Sequence, residues 1–282
     1  MVARLLCPGM ALFRSGLDQL EQLQGVLRGY DSCLVAYSGG VDSVLLAVAA
    51  HRVLGERMLA AIADSPSLPR TELDEARSMA SDFGFPLEVV VTREFDNPDY
   101  TSNPLNRCYF CKQELFVHLQ PLAAARGLAV IAYGENVSDL ADFRPGARVA
   151  AEMDVRAPLR EAGLSKADIR EMSRKLGLPT ADKPEMPCLS SRIPHGEMVT
   201  REKLGMVEKA ERVLRGMGFS DVRVRHYEAG PRARVEVCPE EVARLSRAEV
   251  WEEVERVLAG LGYEAVSFEE EGYRRGRVNG MS

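Results

Sequence analysis

Along the first two thirds of the chain, short apolar runs alternate with stretches whose apolar positions recur every three or four residues. The runs at 34–38 (LVAYS), 58–64 (MLAAIAD), 87–92 (LEVVVT), 128–133 (LAVIAY) and about 154–158 read as strands. The stretches at 43–54, 70–84, 112–126 and 165–177 read as helices. The last of these carries its own start and stop. Ser165 and Asp168 form a capping-box pattern, in which hydroxyl and carboxylate take up orphan N–H groups, and Gly177 with Pro179 just beyond ends the helix. Strands alternating with helices call for right-handed crossovers and a buried, mostly parallel sheet, here of five strands. Ligands of such sheets bind beyond the carboxyl ends of the strands, so motifs that follow strands share one address.

The pattern changes after 178–194, a stretch with prolines at 179, 184, 187 and 194. A helix at about 200–217, strands at 222–227 and 233–237, a helix at about 239–260 and a strand near 263–268 follow. This α-β-β-α-β order is that of a small ferredoxin-like unit. The expected fold is therefore α/β, with a parallel sheet over residues 1–186 and a smaller α+β domain over 187–282. The ending GYRRGRVNGMS reads as a frayed tail.

Composition narrows the function classes. The 282 residues include 36 Lys and Arg against 42 Asp and Glu, a net charge of −6. That balance argues against a broad nucleic-acid footprint, which needs a basic tract for phosphates, while leaving room for a local basic pocket. No run approaches the roughly 18 uncharged apolar residues of a membrane span. Pro8 and Gly9 interrupt the apolar N-terminal run before a signal-peptide core forms, so the cytoplasm is the default location. Six cysteines are too few for a disulfide framework and read as free thiols, ligands or reactive groups.

The strongest chemical signal is Ser38-Gly39-Gly40-Val41-Asp42-Ser43, between the first strand and an apolar helix. Two glycines let the backbone turn tightly and approach an anion, and the helix start aims its free N–H groups at the same spot. Ser38 and Ser43 add hydroxyls, and Asp42 suits Mg²⁺ on a polyphosphate. The segment lacks the lysine of a Walker loop. The plain alternative is a glycine-rich strand-to-helix turn.

Sulfur chemistry is the second signal. Cys108 and Cys111 stand in a C-x₂-C pair, and Cys188 follows the proline-rich stretch. Such a pair puts two thiolates within reach of one metal centre, with zinc, iron–sulfur and redox uses all open. A zinc site wants a fourth ligand, for which His118 is the nearest candidate. Cys33 starts the first strand, at its wrong end, and Cys7 and Cys238 read as small buried hydrophobes. His51, His195 and His226 read as surface residues. Three thiols without an obvious fourth suit a [4Fe–4S] cluster with one iron open; isolated reactive thiols are the main alternative. Arg192 stands four residues after Cys188 and is placed to favour its thiolate. Arg223 and Arg225, two apart, share one face of a strand and read either as an anion site or as a solvated, ion-paired face.

The hexapeptide resembles the loop of the PP-loop ATP pyrophosphatases, which include NAD, GMP and argininosuccinate synthetases and tRNA-thiolating enzymes. The resemblance implies a five-stranded parallel sheet and one reaction pattern, in which ATP adenylates a substrate oxygen and pyrophosphate leaves. It also implies that Ser38, Gly39, Gly40, Asp42 and Ser43 grip the departing phosphates, that Asp64 and Ser65 hold adenosine, and that Lys166 is a second phosphate contact. Asn136, Asp139 and Arg144 follow the fourth strand and border the nucleotide site on this reading.

Longer blocks narrow the match: ADSPSLPRTEL, NRCYFCK, YGENVSDLADFRPG, the run from APLREAGLSK to CLSSRIPHGE, and VRVRHYEAGPRARVEV. With the loop they span nearly all of 34–237 and resemble the LarE family of ATP-dependent sulfur transferases. That resemblance implies adenylation of a carboxylate of a pyridinium dicarboxylate mononucleotide and delivery of sulfur to give a thiocarboxylate, on the way to the nickel-pincer nucleotide of lactate racemase. It implies ATP and Mg²⁺ as cofactors, Arg223 and Arg225 on the substrate phosphate with Glu211, Arg144 and Arg192 assisting, and a homo-oligomer. In one branch of the family the cysteine matching Cys188 gives up its own sulfur. In the other it joins two more around a [4Fe–4S] cluster, and Cys108 and Cys111 place this chain there, with the sulfide source unidentified. The rivals are an iron–sulfur tRNA thiolase, an amide-forming synthetase that leaves the thiols idle, and a nucleotide-binding regulator without catalysis.

Overall fold

A computed structural model describes residues 16–141, 145–227 and 231–273; Cys7, Arg144 and the tail beyond 273 lie outside these ranges. In chain order the larger part comprises α1 (Gly16–Arg28), β1 (Cys33–Tyr37), α2 (Val41–Leu54), β2 (Met58–Asp64), α3 (Arg70–Asp82), β3 (Leu87–Val91), α4 (Pro98–Thr101), α5 (Arg107–Ala125), β4 (Val130–Tyr133), α6 (Pro145–Glu152), α7 (Pro158–Glu161) and α8 (Lys166–Lys175). The chain continues with α9 (Arg201–Gly216), β5 (Arg223–Tyr227), β6 (Arg232–Glu236), α10 (Pro239–Leu245), α11 (Ala248–Gly260) and β7 (Ala265–Phe268).

The larger sheet is parallel, in the order β3-β2-β1-β4. Every residue of β1 is buried, as its uninterrupted apolar run requires of a strand covered on both faces. On one face Val35, Ala60 and Ile62 pack with α2, which is apolar almost all round because it lies between sheet, α1 and α8. On the other face Leu34, Leu59 and Ala61 meet Phe116 and Leu119 of α5. Each fully buried large side chain contributes about 1.5–3 kcal/mol. The chain leaves β1 toward β2 on one side and returns through β4 on the other. The crevice beyond β1 and β4 is therefore the switch point of the sheet, where α/β folds bind ligands.

The expected fifth strand is reduced to one parallel bridge between Ala132 and Arg156. Asp154 takes a left-handed φ of 53° and Pro158 already opens α7, so too little extended chain remains for a ladder. The helix expected from 112 begins at Arg107, which moves Cys108 and Cys111 from a loop to the first two turns of a helix. The single helix expected at 239–260 is two, broken at Arg247, whose backbone is extended.

The smaller sheet has the order β5-β6-β7, with β5–β6 antiparallel and β6–β7 parallel, over a core that includes Leu214, Val224, Val235 and Leu258. His226, expected at the surface, is buried in β5 beside Tyr263. Among the described residues no helix is long and apolar enough to cross a membrane.

The capping box forms as read: Ser165 Oγ accepts from the Asp168 amide at 3.2 Å, and Asp168 accepts from the Ser165 amide at 2.8 Å. Partial burial works against the Asp168 carboxylate, but the Ser165 bonds outweigh it and lower its pKa. A depressed carboxyl stabilises the fold above its unfolded value, near 4, and loses that contribution as pH falls through the folded value. Asp168→Ala is expected to cost about 1 kcal/mol at neutral pH. In paired urea titrations the gap between variant and parent should narrow progressively as the pH falls below about 4.

Candidate functional site

The turn after β1 is built by its glycines. Gly39 has φ 74°, and a Cβ there would stand 3.0 Å from the Ala76 Cβ of α3. On the opposite wall Gly134 follows β4, and a Cβ there would come within 3.1 Å of both the Asp42 Cβ and the Ser43 amide nitrogen. Only glycine lets β4 run this close to the loop. The Ser38 amide donates to Ser43 Oγ at 3.1 Å, and that hydroxyl donates to the Gly40 carbonyl at 3.1 Å. Gly40 caps α2 without a side-chain bond, leaving the first N–H groups of the helix directed into the crevice.

Asp42 is the charged centre of the loop. Its Oδ2 lies 2.6 Å from Lys166 Nζ, which the first turn of α8 presents, and its Oδ1 accepts from Asn136 Nδ2 at 3.3 Å. Burial pushes the Asp42 carboxyl above the ordinary range while Lys166 pulls it back down. Asn136 is fully buried, and its amide donates to Asp139 at 3.1 Å. The residues singled out after β1, after β4 and at the start of α8 thus form one polar group. Asp64 and Ser65, at the end of β2, are engaged differently. Asp64 pairs with Arg70 at 2.5 Å, and Ser65 donates to the buried carboxylate of Glu94.

A cavity of about 450 Å³ joins this loop to Cys108: Ser38, Asp42, Ser43, Cys108, Lys112 and Asp139 are among the residues that line it. Lys112 Nζ lies 5.5 Å from the centre of the Tyr133 ring, a cation in the wall that directly follows the C-x₂-C pair. A larger hollow of about 850 Å³, lined by His51, Met58 and Leu87, sits at the amino ends of β2 and β3, away from the loop and the cysteines.

Cys108, Cys111 and Cys188 lie within electrostatic reach of one another. Burial, and next to it the Cys188 thiol, pushes Cys111 up to about 12. Cys108 is exposed as a residue, yet desolvation around its sulfur and then Cys188 raise it as well. Buried Arg107 approaches Cys188, with Nη2 4.0 Å from Sγ, and its Nη1 donates to the Ser190 carbonyl at 3.0 Å. Its place immediately before the C-x₂-C pair was the available signal for it. Among the described residues no three His, Cys, Asp or Glu side chains stand together as a metal site. His118 is turned to Glu114, 3.3 Å away.

Arg192 is wholly buried. It pairs with Glu211 at 2.8 Å and donates to the Pro187 and Cys188 carbonyls at 2.6 and 3.3 Å. Glu211 also accepts from the Val224 amide at 3.1 Å, so this pair ties the Cys188 segment to α9 and β5. Glu211→Ala would strand a buried guanidinium. It should cost about 3–5 kcal/mol in chemical denaturation, and less than about 1 kcal/mol would show the pair to be dispensable. Arg225 forms a two-pronged pair with Glu236 at 3.0 Å. Arg223 bonds Asp221 at 2.6 Å and stacks 3.5 Å from the centre of Tyr273, while its buried Nε has no partner among the described residues. Both arginines line a second cavity, of about 500 Å³, together with Lys166 and Arg170.

No family model matches the chain. It is 45% identical over 268 residues to an uncharacterized protein of Synechocystis sp., covering 95% of this chain and 98% of that protein. It is 33% identical over 259 residues to pyridinium-3,5-bisthiocarboxylic acid mononucleotide synthase of Lactiplantibacillus plantarum, covering 91% of this chain and 92% of the synthase. The chain belongs to the family of that synthase, LarE. A 28% identity over 196 residues to a glutamine-hydrolyzing GMP synthase polypeptide of Archaeoglobus fulgidus, covering 64% of this chain and 63% of that one, agrees with the wider PP-loop resemblance. In this LarE-family chain the loop 38–43, the C-x₂-C turn, the Cys188 segment and the arginines of β5, far apart in sequence, surround two cavities that Asp42 and Lys166 connect.

Proposed function

We propose that the chain is an ATP-dependent sulfur transferase that adenylates a carboxylate of a pyridinium dicarboxylate mononucleotide and replaces an oxygen with sulfur, serving synthesis of the nickel-pincer nucleotide. The observation that carries the reading is that Cys108 shares a cavity wall with Ser38, Asp42 and Ser43. In the first step a carboxylate oxygen attacks the α-phosphorus of ATP and pyrophosphate leaves. The loop amides and Lys166 receive the departing charge, and Asp42 offers the oxygen ligand that Mg²⁺ on the phosphates prefers. The acyl-adenylate carbon is then open to a sulfur nucleophile. AMP departs, and the thiocarboxylate remains. Arg223 and Arg225, beside Lys166, take the substrate's own phosphate, and residues 187–282 form the substrate-binding and oligomerising part.

Cys108, Cys111 and Cys188 would hold a [4Fe–4S] cluster. Their soft thiolate donors suit iron and their mutual nearness fits, although they are not drawn into a closed ligand set. When bound, the cluster would supply the sulfide. The Arg107 contact favours a second reading, in which a guanidinium accompanies Cys188 as a nucleophile that gives up its own sulfur. The test is release of pyrophosphate and AMP from ATP on adding the carboxylated nucleotide. Equal release of both, dependent on that nucleotide, supports the enzyme. ATP binding without turnover would favour a nucleotide-sensing protein.

A further inference from the structure

Between the phosphate side of the site and the Cys188 segment lies a group of hydroxyls to which neither step above assigns work. Ser67 follows β2, Tyr100 belongs to α4, and Ser190 stands two residues after Cys188. Their oxygens are mutually bonded: Ser67 to Tyr100 at 2.5 Å, Ser67 to Ser190 at 2.8 Å and Tyr100 to Ser190 at 2.8 Å. All three residues are buried, with Ser190 wholly inaccessible and Tyr100 1% exposed. Three hydroxyls in a triangle carry three donors for three bonds, so the ring satisfies itself and needs no solvent. Around it, the Leu189 amide donates to the Ser67 carbonyl at 2.8 Å, and Arg107 donates to the Ser190 carbonyl. The ring thus fastens the residues on the carboxyl side of Cys188 to the strand end next to the phosphate loop. Arg192 fastens Cys188 from the other side, to α9.

We propose that the Ser67–Tyr100–Ser190 ring is a latch that fixes Cys188 against Cys108 and Cys111, and that Tyr100 is its positioning residue. The phenol bonds both serines and so ties their direct bond to α4. It lies within electrostatic reach of both Cys188 and Cys111, and its ring is braced edge-on by Phe95 at 5.3 Å. Its catalytic consequence rests on the function proposed above: sulfur transfer needs Cys188 held in register, whereas adenylation at the loop does not. Loss of the phenolic hydroxyl therefore separates the two half-reactions.

Tyr100→Phe keeps the buried ring and the Phe95 contact and removes two of the three bonds. In the reduced full-length protein, without ATP or substrate, the reagent is dibromobimane, which fluoresces once both arms have alkylated thiols. Peptide mass mapping identifies the bridged cysteines. The parent is expected to give Cys188 bridged to Cys111 or Cys108, and Tyr100→Phe to do so about tenfold more slowly. Ser190→Ala should act alike, and the double variant should be little worse than either single one, as for parts of one unit. Tyr30→Phe, which deletes a buried hydroxyl bonded to Glu161, should bridge at the parent rate. With ATP and the carboxylated nucleotide, Tyr100→Phe should release pyrophosphate at the parent rate while thiocarboxylate formation falls about tenfold. An unchanged bridging rate overturns the latch. A parallel fall in both half-reactions overturns its selective role. If the parent itself makes no thiocarboxylate, the functional reading fails, and the bridging rates still decide the latch by themselves.

Discussion

Replacing Asp42 by Ala is expected to lower nucleotide-dependent pyrophosphate release about 10³-fold while leaving the protein folded. The carboxylate sits at the junction of loop, α8 and the β4 exit, within 2.6 Å of Lys166, and is the only hard oxygen ligand within the six-residue loop's side chains that bears a charge. Removing it takes away the metal ligand where charge develops on the leaving phosphates, and losses at such positions run to several kcal/mol of transition-state stabilisation. Stability should change little. Burial already works against the charged carboxyl, and Lys166 retains Glu185 at 3.6 Å. Thiol bridging of Cys188 is the internal control, since it uses other ligands. A variant that keeps parent-like pyrophosphate release would remove Asp42 from the metal role.

Replacing Cys188 by Ala is expected to abolish thiocarboxylate formation, a drop of more than about 10³-fold, while pyrophosphate release persists. Both sulfur routes pass through this residue, so the loss is total on either. The segment should stay in place, because Arg192 grips backbone carbonyls rather than the thiol and the hydroxyl ring holds Ser190. The companions Cys108→Ala and Cys111→Ala divide the routes. Equal loss in all three means a shared cluster, and loss confined to Cys188 means a sacrificed sulfur. Thiocarboxylate made by Cys188→Ala would defeat both.

What could be read in the sequence was what local rules control. The parallel strands announced themselves through unbroken apolar runs, the anion turn through two glycines before a helix, and the start of α8 through the Ser165–Asp168 box. Ahead of that alternation, α1 carried a signal as well, in Leu20, Leu23 and Leu27 at helical spacing, and pattern reading missed it. The fifth strand failed because a left-handed Asp154 and a helix-opening Pro158 are decided by the surrounding packing rather than by apolar pattern. The site showed the same division. Motifs found Asp42, Asn136, Lys166 and the cysteines, each in a distinctive local setting. They did not show that Arg192 would spend its charge on Glu211, that Arg107 would face Cys188, or that Ser67, Tyr100 and Ser190 would meet. Such pairings join residues 19 to 123 positions apart, and only the folded chain specifies them.

The decisive experiment is a single-turnover reaction of anaerobically reconstituted protein with ATP and the carboxylated pyridinium mononucleotide. Mass spectrometry then reads the nucleotide and the intact protein from one quench. Expected are one oxygen of the nucleotide exchanged for sulfur, AMP and pyrophosphate in equal amounts, and a polypeptide of unchanged mass. A polypeptide lighter by H₂S at Cys188 would replace the cluster by the sacrificed thiol. Pyrophosphate formed without sulfur in the nucleotide would mean that the anion turn and the three thiols do not serve one reaction.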